Sequence, residues 1–132
     1  MGIKDQMAAL LSDSDYLLYT CECVDRGYTM YLGLYADGTV ISATVSSLPA
    51  NHHKIVKWFS RQHSDMPQGV CRIKDDRISF TTVSSEGSVE YYGGIQKDKL
   101  ILTSHSNING HKASKTYDYV GTRKQLIKNN AD

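Results

Sequence analysis

No run in this chain approaches the ~20 consecutive apolar residues that a membrane-spanning helix needs, which excludes a helical span. Nor does charge of one sign accumulate: 15 basic and 14 acidic residues are interspersed to a net charge of +1. That balance lacks the electrostatic footprint of a nucleic-acid arm or an acidic tail, so nucleic acid is not an expected partner. Cysteine is sparse, and Cys21, Cys23 and Cys71 are an odd number. With no Asn-x-Ser/Thr acceptor in the sequence, this fits reduced thiols better than a secreted disulfide framework. The first eleven residues carry Lys4, Asp5 and Gln6 where a secretory signal needs apolar residues, and Gln6 occupies the position at which a myristoylation motif needs Ser or Thr. A soluble, cytoplasmic protein is the expectation. Neither phosphate-binding glycine pattern occurs and there is no G-x-S-x-G elbow, so no cofactor is expected.

At 132 residues the chain fits one domain, with a core over residues 16–121 and a polar tail over 122–132. A chain of this size buries roughly two thirds of its unfolded surface and needs no staple. Ile3, Met7, Leu10 and Leu11 recur at helical spacing and predict a short N-terminal helix that stops at Ser12–Asp15. From Tyr16 the composition turns β-preferring. Tyr16 to Val24 places Leu17, Tyr19, Cys21 and Cys23 on one face against Thr20 and Glu22, and Tyr28 to Tyr35 alternates Met30, Leu32 and Leu34 with Thr29, Tyr31 and Gly33. Asp37-Gly38 predicts a tight hairpin turn in which both residues take positive φ, followed by a strand over Thr39–Ser46.

Ser47 or Asn51 can cap a helix, with Pro49 acceptable in its first turn. Ile55, Val56 and Phe59 then gather on one side, predicting an amphipathic helix that ends near Gln62 or His63 with Trp58 at the edge of its stripe. Val70–Lys74, Arg77–Val83, Ser88–Gln96, Leu100–Ser106 and Ala113–Val120 read as further strands. Asp75-Asp76, Glu86-Gly87, Lys97-Asp98 and Asn109-Gly110 separate them, the last being the strongest hairpin signal. The fold class is therefore mainly β: about eight strands in an antiparallel up-and-down meander, closing into a barrel that the inserted helix plugs or covers.

The stretch Tyr31-Leu32-Gly33-Leu34-Tyr35-Ala36-Asp37-Gly38-Thr39-Val40-Ile41, the Trp58-Phe59 helix, and Gly69-Val70-Cys71-Arg72-Ile73 together resemble the lipocalin-like (calycin-like) small barrels. Later strands add Arg77-Ile78-Ser79-Phe80 and Asp98-Lys99-Leu100-Ile101-Leu102. The chain departs from the secreted members in lacking their N-terminal G-x-W. The resemblance implies topology rather than chemistry.

Nine tyrosines stand against two Phe and one Trp. Tyr19, Tyr28, Tyr91, Tyr117 and Tyr119 lie in strands, where inward rings bearing hydroxyls suit a small amphipathic ligand; tyrosine is also simply a good strand former. His105, Asn107, Asn109 and His111 surround the Asn109-Gly110 turn, which can form a ligand mouth or merely a solvated tip. His105, further inside its strand, is the stronger ligand-binding candidate. Cys21-Glu22-Cys23 can offer two thiolates, but C-x-C in an extended strand fits two small packed side chains better than a metal site, and none is expected. His52, His53, Lys54, Lys57 and Arg61 can form a cationic face. Alternation sends Glu22 outside and leaves Glu90 ambiguous.

Three functions follow. The first is non-enzymatic binding of a small apolar or amphipathic ligand inside the barrel. The second is a protein-interaction module or homodimer using a sheet face. The third is an isomerase- or cyclase-like enzyme with His105 or Glu90 as general base. A cavity of a few hundred cubic ångströms supports the first, and a barrel filled solid removes it.

Overall fold

Strands form here where β-branched and aromatic residues alternate with polar ones, because a two-residue period sends successive side chains to opposite faces of a pleated ribbon. The computed structural model describes residues 2–46, 51–63 and 65–129. It runs through α1 (Ile3–Ala8), β1 (Tyr16–Cys23), a 3-10 turn at Val24–Arg26, β2 (Tyr28–Tyr35), β3 (Thr39–Val45) and α2 (His52–Ile55). It continues with β4 (Gln68–Val70), β5 (Arg72–Lys74), β6 (Arg77–Ser84), β7 (Gly87–Gln96), β8 (Lys99–Ser106), β9 (Lys112–Thr122) and α3 (Arg123–Asn129). Every pairing is antiparallel. β1 meets β9, and β4 reaches β6 through Gln68 and Val83, so the sheet closes on itself. β4 and β5 are two halves of one stave broken at Cys71, and the result is the expected eight-stranded antiparallel barrel. Its up-and-down order is consistent with a lipocalin-like topology. No helix among the described residues is long and apolar enough to cross a membrane.

Two cores result from the alternation. Inside the barrel, Leu17 and Tyr19 of β1 meet Leu32 and Leu34 of β2, Ile78 and Phe80 of β6, and Leu100 and Leu102 of β8. Ile3 and Met7 of α1 join this cluster, so α1 stoppers one end of the barrel. Outside it, Tyr16, Leu18, Tyr31, Tyr35 and Ile41 pack against Ile55, Val56 and Phe59 and against Leu126 of α3. The inserted segment thus covers one outer wall and leaves the interior alone.

Phe59 is the keystone of the outer core. A Cβ on Gly33 would lie 3.2 Å from its ring, so the glycine makes room for close approach. The Tyr16 hydroxyl donates to the Phe59 carbonyl at 2.7 Å, and the two rings meet edge to face. Arg61 then secures the segment: its guanidinium lies 4.2 Å above the Tyr35 ring and donates to Asp37 Oδ2 and to the Asp13 carbonyl, both at 2.7 Å.

Several expectations are corrected. α1 stops at Ala8, and Leu11, predicted on its buried face, is 94% exposed. α2 is a single turn, capped by Asn51, whose Oδ1 accepts from Lys54 N at 3.1 Å; it does not extend to residue 62. The chain leaves the helix because Phe59 and Arg61 are held by the barrel wall. Ser47 and Pro49 lie outside the described residues. At the β2–β3 turn only Gly38 takes a positive φ, 91°, while Asp37 accepts from Thr39 N at 2.9 Å. Asn109-Gly110 forms no two-residue turn: Ser106 N donates to the His111 carbonyl at 2.9 Å across a longer loop. That loop is drawn over β7, with Asn107 Nδ2 donating to Ser88 Oγ at 2.9 Å. Finally, residues 123–129 of the expected polar tail form α3. Thr122 and Gln125 cap it reciprocally at 3.1 and 3.0 Å, and Leu126 is buried.

Truncating Phe59 to Ala should cost about 3–5 kcal/mol of unfolding free energy, the usual range for a fully buried aromatic ring. Urea denaturation measures it. A loss below about 1 kcal/mol would mean that the segment is not part of the cooperative core.

Candidate functional site

The odd staves β1, β3, β6 and β8 all run away from the end that α1 stoppers, so their last residues share the opposite rim. Along three of them the inward-facing residue type changes on the way. In β3 it passes from Val40 to Ser42 and Thr44, in β6 from Ile78 and Phe80 to Thr82 and Ser84, and in β8 from Leu100 and Leu102 to Ser104 and Ser106. These six hydroxyl-bearing side chains line a space of about 340 Å³. Met30, Val89 and Tyr91 form its apolar part, while Glu86, Asn109 and His111 stand at its rim. The cavity is a barrel mouth.

Below it the barrel is solid. The Tyr117 hydroxyl donates to Met30 Sδ at 3.7 Å, and Tyr91 stacks on Phe80 with ring centroids 4.7 Å apart. Burial pushes the Tyr91 hydroxyl above its ordinary pKa, and the neighbouring Ser42 and Thr82 hydroxyls offset part of the rise. Thr82 itself is 1% exposed, with its hydroxyl beside that of Tyr91.

Of the five tyrosines singled out from sequence, only Tyr91 lines this mouth. Tyr19 and Tyr117 are buried in the waist of the barrel. Tyr119 packs on Tyr19 at 5.4 Å toward the stoppered end, and Tyr28 is half-buried opposite Cys23. His105 is on the outer wall with its Nδ1 3.7 Å from Glu90 Oε2, and His111 takes the place at the rim. The expected cationic face is largely dismantled. His52 Nδ1 lies 3.5 Å from the Tyr31 hydroxyl, His53 Nδ1 lies 3.1 Å from the Leu126 carbonyl, and Arg61 is engaged as described.

Cys21 and Cys23 face inward on β1, as alternation requires. Burial, then the neighbouring Cys23, pushes the Cys21 thiol up to about 11, with Lys115 opposing. A metal ligand or nucleophile needs the thiolate, which this setting disfavours. Among the described residues no three His, Cys, Asp or Glu side chains are grouped to hold a metal ion.

The hydroxyl lining was missed in the sequence, although Ser42-x-Thr44, Thr82-x-Ser84 and Ser104-x-Ser106 recur at matching strand ends. No family model, no curated protein and no solved structure matches the chain. Its site is read from its own geometry.

Cys21 has an ordinary value of 9.0 and rises to about 11 in the fold. Burial raises Tyr16, Tyr19 and Tyr117 in the same direction. The folded state therefore holds these protons more tightly than the unfolded chain, and their contribution to stability is whole below pH 9 and is lost as pH rises through about 11. Urea midpoints should be level from pH 7 to 9 and fall steadily by pH 11. A level midpoint to pH 11 would show that these groups reach water in the native state.

Proposed function

We propose that the protein holds a small, neutral, amphipathic molecule in the hydroxyl-lined mouth of its barrel and does no chemistry on it. The observation that carries this reading is the set of six hydroxyl-bearing side chains, Ser42, Thr44, Thr82, Ser84, Ser104 and Ser106, gathered around one space. Hydroxyls both donate and accept, so such a wall can meet a neutral polar group from several sides. Neutrality follows from the lining: the walls carry hydroxyls, and charge enters only through Glu86 and His111 at the rim. Met30, Val89 and Tyr91 supply the apolar face that an amphipathic molecule needs. At about 340 Å³ the space sits at the small end of ligand sites. A barrel stoppered at one end and open at the other agrees with membership of the lipocalin-like group, and three free thiols agree with a cytoplasmic location.

Association through a sheet face is the second reading. It is supported by the uncovered wall of β6 to β8, where Val83, Tyr92 and Ile101 are 59%, 46% and 40% exposed. Tyr92 and Ile101 are diagonal neighbours across β7 and β8 while Val83 stands apart, and so few exposed apolar residues are ordinary on a surface. Light scattering that finds only monomer at high concentration removes its homodimer form. The isomerase reading has less support, because Glu90 and His105 face solvent on that same wall.

A Ser42→Ala/Ser104→Ala double variant tests the first reading. Removing two hydroxyls from the wall should weaken binding of cyclohexanol, a neutral amphipathic probe, by about 1 kcal/mol for each hydrogen bond lost, followed through the amide signals of Thr82, Val89 and Tyr91. Native mass spectrometry of protein from its own host should find a retained neutral molecule, reduced in the variant. If cyclohexanol binding is unchanged in the variant, or the parent protein shows no shifts at this rim, the reading fails.

A further inference from the structure

The stoppered end carries a second concavity with different chemistry. α1 and α3 lie on either side of a groove of about 460 Å³ whose surface is mostly apolar. Leu10, Leu17 and Tyr119 line it, with Leu17 belonging to the barrel core beneath. Leu11, which also lines it, is almost wholly in water although the groove beside it is apolar.

Charge is one-sided here. Lys124 and Lys128 are four residues apart, hence on one face of α3, and both line the groove. Both are exposed, and neither forms an ion pair with an acidic side chain among the described residues. The single carboxylate in the lining, Asp15, is buried and already committed: its Oδ1 accepts from Tyr16 N at 3.0 Å and from Lys124 N at 2.9 Å. An arriving anion therefore meets two free ammonium groups beside an apolar trough.

We infer that this groove is a second binding site, taking the carboxylate of a single-chain fatty-acid-class amphiphile between Lys124 and Lys128 with its alkyl chain along Leu10, Leu17 and Tyr119. A flat acidic protein surface would leave the trough empty, whereas an alkyl chain fills it. The site is independent of the barrel mouth, since the two share no lining residue and open at opposite ends.

The test uses decanoate below its micelle concentration, with decan-1-ol as the uncharged equivalent, followed by amide shifts of Leu10, Thr122 and Gln125. Decanoate should bind more tightly than decanol, and across shorter carboxylates affinity should rise about fourfold per added methylene until the groove is filled. A Lys124→Gln/Lys128→Gln double variant should lose three- to tenfold for decanoate at low salt and nothing for decanol. Ala9→Phe, which places a ring in the groove, should abolish the shifts that both ligands cause at Leu10, Thr122 and Gln125, while the Ser42→Ala/Ser104→Ala variant should leave those shifts unchanged. Equal binding of acid and alcohol, or shifts confined to Ser42 and Ser104, would overturn the assignment. So would sedimentation with phosphatidylglycerol vesicles in the absence of decanoate binding, which would make the lysines a membrane contact.

Discussion

Strand β1 has no face to spare for solvent over its first four residues. Tyr16 and Leu18 look outward, Leu17 and Tyr19 look inward, and all four are 1% exposed or less. Full burial of an apolar side chain of this size contributes about 1.5–3 kcal/mol, so the outward pair demands a cover as strongly as the inward pair demands a barrel. That demand accounts for residues 51–63, whose Ile55, Val56 and Phe59 supply the cover, and for α3, whose Leu126 completes it. It also accounts for Arg61. A segment with only one helical turn of its own has little local stability, and the guanidinium stacked on Tyr35 and bonded to Asp37 ties its far end to the β2–β3 turn. The barrel is consequently thick on the β1–β3 side and single-walled on the β6–β8 side.

Side-chain size then decides where empty space can exist. An eight-stranded barrel has an interior just wide enough for side chains to fill. Tyr19, Phe80, Tyr91 and Tyr117 occupy its waist, and Met7 and Ile3 occupy the stoppered end. Where the inward residues shrink to Ser and Thr a cavity remains, and that happens on the same rim because β3, β6 and β8 run in the same direction. Apart from Tyr91, which lines it, the inward tyrosines therefore build the floor of that cavity.

This explains what could and could not be read from the residues. Two-residue alternation locates the strands to within a residue or two, except that it reads the stave broken at Cys71 as one run over Val70–Lys74, and nearly regular turn spacing implies closure; both are local. Helix α2 was overestimated because Ile55, Val56 and Phe59 keep helical spacing while the backbone beyond Val56 answers to Tyr16 and Tyr35, more than twenty residues away in sequence. α3 was overlooked although Thr122-Arg123-Lys124-Gln125 is a capping box, since Leu126 has no apolar companion pattern until the outer wall of β1 is folded beside it. His105 was placed inside by its depth in the strand, yet one residue of phase sends a side chain through the sheet; Ser104 and Ser106 have the inward phase and His105 does not. The six hydroxyls escaped notice because serine and threonine in strands carry no signal alone. Their meaning lies in being matched across three strands, and that match depends on register.

If the mouth and the groove bind as proposed, the two ends of the barrel sort ligands by charge, and the reason is desolvation. A carboxylate entering the mouth would surrender its hydration to a wall of neutral hydroxyls with no counter-charge, a cost that hydroxyl donors meet only in part. A neutral polar group would face a smaller cost and meet hydroxyls that can donate or accept. At the α1–α3 groove the balance reverses: an alcohol gains only the trough, whereas an acid gains the trough and two ammonium groups that stay hydrated while they bind. Because the waist between the ends is packed solid by Tyr19 and Tyr117, neither ligand can pass from one site to the other. Coupling between the sites would then have to run through the shared core, with Leu17 beneath the groove and Tyr91 beneath the mouth as its two termini.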